Sequence, residues 1–138
     1  IYADGNVWLT WGSFKDTNGM MGGCSPFPPE VIQTKKFRSC GLWITSHLKT
    51  YYAKLFQLIQ KEDLQFKGIF FQMATDQAIM FPMIEMASNN HFKFVKEILY
   101  IYCISNPLNC FRKNIQLQMQ MAEEVRSKTP YAPLTKLF

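Results

Sequence analysis

Histidine is scarce in this chain, with His47 and His91 alone. The four cysteines, Cys24, Cys40, Cys103 and Cys110, make no C-x-x-C pair, so zinc-finger spacing is absent. No apolar run is long enough to span a bilayer, which gives no reason to expect a membrane span. Low-complexity tracts and internal repeats are missing, which excludes solenoids and disordered tails. The formal net charge is +5, but the basic residues are scattered along the chain, Lys35, Lys54, Lys93 and Lys113 among them. No basic block reads as a nucleic-acid tail, so no nucleic-acid partner is expected. Dispersed charge of this size fits solubility or a phosphate-bearing ligand. The opening residues carry no signal-peptide pattern. With the cysteines read as free thiols in a reducing compartment rather than as disulfides, the expectation is a cytoplasmic protein.

The composition is that of a packed globule. It is 48% hydrophobic, 18% charged and 15% aromatic over 138 residues, which suits a single domain across 1–138. Asn6 to Phe14, NVWLTWGSF, is rich in strand-forming residues and predicts a strand. Gly12 inside it predicts a bulge or a close backbone approach. Lys15 to Glu30 holds Asn18-Gly19, Gly22-Gly23, Pro26, Pro28 and Pro29, which predicts a long loop. Ser46 reads as the cap of a helix through about Lys61, with Leu48, Tyr51, Tyr52, Leu55, Phe56 and Ile59 as its buried stripe. That would put His47 and Lys49 in a first helical turn, where a cation hints at a bound anion.

Glu62 to Ala87, EDLQFKGIFFQMATDQAIMFPMIEMA, is the most apolar stretch. A brief strand is expected within Gln65 to Phe71, then a buried helix from Asp76 to about Ser88. Pro82 removes a backbone donor and should kink or split that helix. Phe92 to Val95 alternates like a strand, and Ile98 to Ile104 reads as a central strand. A last helix should begin near Pro107 and reach about Lys128, followed by an irregular tail from Tyr131 to Phe138.

Asp76 is the one carboxylate at the mouth of the apolar helix. Three readings stand. It caps the helix, a role worth ~1 kcal/mol. It pairs with a neighbouring cation. Or it is a general base, ionised and aimed at the proton it removes.

Four strings resemble one family. NVWLTWGSF is similar to an N-V-W-L-T-Y-G motif, and TSHLKTYYAKLF to S-H-L-R-T-F-Y-A-x-L-F. EDL followed by FFQMATDQAIMFPMIEMA is similar to E-D-L…F-F-x-M-A-W-D-x-A-x-M-F-P-M-x-E-M-A. LYIYCISNPLN resembles L-Y-I-Y-N-x-x-N-P-x-N. These motifs belong to a branch of family-2-like glycosyltransferases with the GT-A (nucleotide-diphospho-sugar transferase) fold, and they cover most of Asn6 to Asn114. The resemblance implies an α/β fold: the C-terminal, acceptor-side half of a GT-A domain, a mixed sheet flanked by helices, with the nucleotide-binding half missing.

The resemblance also implies an activity: inverting transfer of a sugar from a nucleotide-sugar to an acceptor hydroxyl. Asp76 falls on the family's catalytic Asp. His47, Lys49 and Arg112 fall on ligand-facing positions, Arg112 as a partner for diphosphate. Trp11 and Gly12, in the first motif, complete the substrate-binding candidates. A divalent metal, Mn²⁺ or Mg²⁺, is expected from the family, but its ligands are absent or replaced and no residue here is assigned to it. The family's Asp-x-Asp precedes the first motif, and its Asn-Asp-His reads Asn109-Cys110-Phe111. Thr75 stands for the family's Trp, Gln77 for its Leu and Lys49 for its Arg, which loses bidentate geometry. The alternative expectation is a degenerate, non-catalytic remnant or interaction module. Half a sheet would leave an open edge and exposed apolar surface, so self-association is expected.

Overall fold

The computed structural model describes residues 1–106 and 114–138. Arg112, Cys110 and Phe111 lie outside the described residues, as does the expected helix start at Pro107. A small mixed sheet flanked by helices carries the core. Its middle strand is β1, Leu9–Gly12, every residue of which is buried. It pairs antiparallel with β3, Lys49–Tyr51, and parallel with β6, Phe92–Val95. The register sets Thr10 opposite Thr50 and Trp11 opposite Phe94. Trp11 fills the space behind the sheet, in ring contact with Phe27, Phe92 and Phe94. A second pairing joins β2, Lys15–Asp16, to β7, Ile101–Tyr102, and a hairpin joins β4, Gln65–Phe66, to β5, Ile69–Phe70. The hairpin turn works because Lys67 and Gly68 both adopt positive φ, 51° and 80°.

Against this sheet lies α3, Thr75–Met86, after the short helices α1, Pro29–Thr34, and α2, Ala53–Gln57. Helix α3 is apolar almost all round, as a helix enclosed by its neighbours must be. Met80, Phe81, Met83 and Ile84 are fully buried. Pro82 does not split it: the helix runs unbroken from Thr75 to Met86. The proline ring is itself buried in the core, where packing offsets the lost donor. The last helix, α4, spans Ile115–Ser127, and the Asn114 side chain caps it by accepting the Leu117 N–H at 3.0 Å.

Two expectations from periodicity fail. The helix expected from Ser46 to Lys61 is instead strand β3, helix α2 and a 3-10 turn over Lys61–Leu64. Thr50 and Tyr51 are good strand formers, and the open edge of β1 offers them a ladder. Thr50 Oγ1 also meets Thr10 Oγ1 at 2.6 Å and the Tyr2 hydroxyl at 2.5 Å. Leu48, Tyr51 and Phe56 are exposed, so the supposed buried stripe is reduced to Leu55 and Ile59. The strand expected over Ile98 to Ile104 is neither central nor long. Only Ile101–Tyr102 pairs, and Leu99 and Ile101 are exposed. The centre belongs to β1, whose two sides are both bonded.

A buried ion pair ties the C-terminal tail to the core. Arg38 donates through Nε and Nη2 to the two Glu85 oxygens at 2.6 and 2.8 Å, and through Nη1 to the Val125 carbonyl at 2.7 Å. The Tyr131 N–H reaches the same carboxylate at 3.0 Å. Each guanidinium nitrogen of Arg38 and both oxygens of Glu85 thus have a hydrogen-bond partner, as a buried charge requires.

Candidate functional site

The mouth of α3 opens a cleft. The chain enters the helix through Ala74, which adopts a left-handed conformation, φ 54° and ψ 21°. An alanine there costs about 1–2 kcal/mol. The turn is held from outside: Gln118 Oε1, on α4, accepts the Ala74 N–H at 3.3 Å. Thr75 Oγ1 donates back to the Phe71 carbonyl at 2.9 Å. Asp76 then falls in the first turn, where the helix dipole favours a negative side chain. It does not cap the helix in the usual way, because the capping position is Ala74. Its Oδ1 instead accepts the adjacent Gln77 N–H at 3.0 Å.

Two cavities meet at this point. The larger, about 760 Å³, is walled by Phe14, Trp43, Met73, Tyr102, Gln77 and Gln118, among others. The smaller, about 400 Å³, is lined by Leu48, Lys49 and Tyr100. Ser46, His47 and Asp76 line both. His47 is fixed by its surroundings. It stacks on Tyr100 with centroids 5.0 Å apart and meets Phe14 and Tyr102 edge-on, while its Nδ1 is hydrogen-bonded to Ser46 Oγ.

Burial lowers the His47 pKa below its ordinary value of 6.5, and the Lys49 charge lowers it further, against the opposing effect of Asp76. His47 is therefore mostly neutral at pH 7. Burial also lowers Lys49, and here too Asp76 opposes the shift. So Asp76 lies within electrostatic reach of both side chains, although the ion pairs closer than 4.0 Å among the described residues are Arg38–Glu85 and Lys128–Asp63.

The structure thus brings together Asp76, His47 and Lys49. Asp76 comes from the first turn of α3, while His47 comes from a loop and Lys49 from strand β3, not from the first helical turn that the sequence pattern suggested for these two. Trp11 lies apart, buried in the core with its Nε1–H donated to the Ser25 carbonyl at 2.9 Å. Gly12 also lies outside the cleft. Its N–H is shared between the His47 and Leu48 carbonyls at 3.2 and 3.0 Å. A Cβ on Gly12 would stand 3.3 Å from the Val95 carbonyl oxygen, so the close backbone approach read from this glycine is present. Sequence reasoning did not single out Gln118, Tyr100 or Tyr102 as site residues, and it treated Gln77 only as a departure from the family pattern. The available signal was polar: Gln77 is the one amide in a largely apolar helix.

No group of three His, Cys, Asp or Glu side chains among the described residues converges on a point that could hold a metal. Asp76 is accompanied by the Lys49 ammonium and the His47 imidazole, and not by a second carboxylate among the described lining residues. No described residue is assigned to the divalent metal that the family resemblance implies. Among the described residues, no helix is long and apolar enough to cross a membrane. Comparison of the chain with protein-family models, curated proteins and solved structures finds no match.

Proposed function

We propose that this chain supplies the acceptor side of an inverting glycosyl transfer. The observation that carries the reading is the placement of Asp76, a carboxylate at a helix mouth reached from two adjoining cavities with aromatic walls. An acceptor hydroxyl in the cleft gives its proton to Asp76 as its oxygen bonds to the sugar's anomeric carbon. The bond from that carbon to the diphosphate breaks, and the nucleotide diphosphate leaves with the electron pair. The motif resemblance supports this role, since its catalytic Asp falls on Asp76. The donor nucleotide is assigned to residues outside the matched motifs, and no step is routed through a metal. Lys49, half-buried beside Asp76, is suited to pairing with a departing phosphate. Cys24, Cys40 and Cys103 are free thiols, which suits the reducing cytoplasm we propose as its setting.

The test is a transfer assay on the complete polypeptide that carries these residues, with UDP- and GDP-sugars and saccharide acceptors. The native chain should give product of inverted anomeric configuration. Asp76→Asn should fold and fail to turn over. Full turnover by Asp76→Asn, or no transfer by the native chain, would sink the reading.

A second reading, an interaction module without catalysis, is favoured by one observation. Ile98, Leu99, Tyr100 and Ile101 form a run of exposed apolar side chains. Such a run is suited to self-association.

A further inference from the structure

Gln77 presents an unusual balance. It is 7% exposed, yet its Oε1 has no hydrogen-bond partner among the described residues. A buried amide oxygen left unpaired costs about 1–3 kcal/mol. Thr45 and Ser88 also carry unpaired buried hydroxyls, but neither lines the cleft. Gln77 does, one residue after Asp76. Neighbouring helix residues point about 100° apart and rarely share a ligand. Here both line one cleft because the helix ends there.

We infer that the larger cleft takes an uncharged saccharide through two neighbouring hydroxyls, one meeting the Asp76 carboxylate and the next the Gln77 side-chain amide. The inference rests on the reading of Asp76 as the group that receives the acceptor hydroxyl. It adds the class of acceptor and the residue that selects it.

Three features fix the class. The first is hydrogen-bonding capacity. A hydroxyl both donates and accepts, so it satisfies Gln77 whichever way the amide is turned. Gln118 spends its oxygen on the Ala74 N–H, which leaves its NH₂ as a donor suited to a further hydroxyl oxygen. The second is charge. Among the described lining residues Asp76 is the only acid, and Lys49 lines the smaller cavity but not the larger. A carboxylate or phosphate in the larger cleft would face Asp76 with no lysine or arginine among those lining residues. A neutral polyol meets no such repulsion. The third is shape. Phe14, Trp43 and Tyr102 give the cleft aromatic walls for the C–H faces of a sugar ring.

The experiment is saturation-transfer NMR on the 138-residue chain. The probes are neutral disaccharides (cellobiose, lactose, N,N′-diacetylchitobiose), with glucuronic acid and glucose 6-phosphate as charged counterparts. Neutral disaccharides should receive saturation at their ring protons and the charged sugars should not. Gln77→Leu should weaken binding about tenfold without lowering the thermal midpoint. Native-like binding by Gln77→Leu, binding of charged sugars alone, or no binding at all would each overturn the inference. If Gln77→Leu does not fold, a series of monodeoxy disaccharides on the native chain reads the same bond. Equal affinity across that series overturns it too. The outcome is separable from the base reading. Gln77-dependent saccharide binding with a fully active Asp76→Asn removes the base and keeps the selector. Loss of activity in Asp76→Asn with Gln77-independent binding does the reverse.

Discussion

Asp76 accepts the backbone N–H of Gln77 at 3.0 Å, while the Gln77 side chain keeps a buried oxygen without a partner. Two adjacent residues at one helix mouth thus treat hydrogen bonding in opposite ways. One carboxylate is steadied by the backbone; the next residue, which lines the cleft, keeps a buried oxygen unpaired. Natural cores rarely tolerate such an oxygen without a use for it.

This gives a stability prediction in its own right. Gln77→Leu removes the unpaired oxygen and keeps a side chain of similar volume. It should be neutral or stabilising, by up to about 1–3 kcal/mol. Urea unfolding of the two proteins checks it. A loss of several kcal/mol would mean that Gln77 is satisfied in solution.

His47 should report the charges around it. Burial and Lys49 lower its pKa, and Asp76 opposes them. Lys49→Met should therefore raise the His47 pKa, and Asp76→Asn should lower it. Imidazole proton shifts followed across pH measure both. The sign of the linked stability follows. Because the folded value lies below the unfolded 6.5, the unfolded chain binds more protons in the interval between them. The contribution of His47 is fully present above pH 6.5 and is lost as pH falls through the folded value. Shifts of the same sign in both variants would mean that Lys49 and Asp76 do not flank the ring.

The Arg38–Glu85 pair should resist single substitution. Arg38→Met strands a carboxylate that is buried and still holds the Tyr131 N–H. Breaking one partner of a buried pair costs about 3–5 kcal/mol, and replacing both with apolar residues costs far less. The double variant Arg38→Met with Glu85→Leu should recover much of the loss in denaturant unfolding. Additive losses would show that the two side chains are not energetically coupled.

Sequence alone carried the parts of this fold that depend on local composition. The NVWLTWGSF string gave β1, and the apolar run from Ala78 to Ile84 gave the core of α3. Gly12 announced its close neighbour. What it could not carry was competition for partners. Leu48, Tyr51 and Phe56 have helical spacing, but the free edge of β1 recruits Lys49–Tyr51 as a strand. Ile98 to Ile104 has strand composition, yet among the described residues the strand it pairs with is the two-residue Lys15–Asp16. The site was half legible for the same reason. Asp76 stood out as the one acid at the mouth of an apolar helix. The meeting of His47 and Asp76 depends on a tertiary arrangement that no local pattern records.

The exposed run from Ile98 to Ile101 should drive self-association. Leu99 is 64% and Ile101 62% exposed, the second on the two-residue strand β7. Light scattering should find particles larger than 16.1 kDa for the native chain and a smaller species for Leu99→Lys. A monodisperse native monomer would contradict this and would weaken the reading of the chain as an interaction module.

The account turns on whether Asp76 removes a proton from an acceptor. The decisive measurement compares initial rates of sugar transfer by the native protein and by Asp76→Asn, with saccharide binding to both followed by NMR. Asn keeps the shape and can still accept the Gln77 N–H, but it cannot take a proton. The expected result is a rate loss of about 100-fold or more with saccharide binding retained. Equal rates in the two proteins would contradict the assignment of Asp76 as the base.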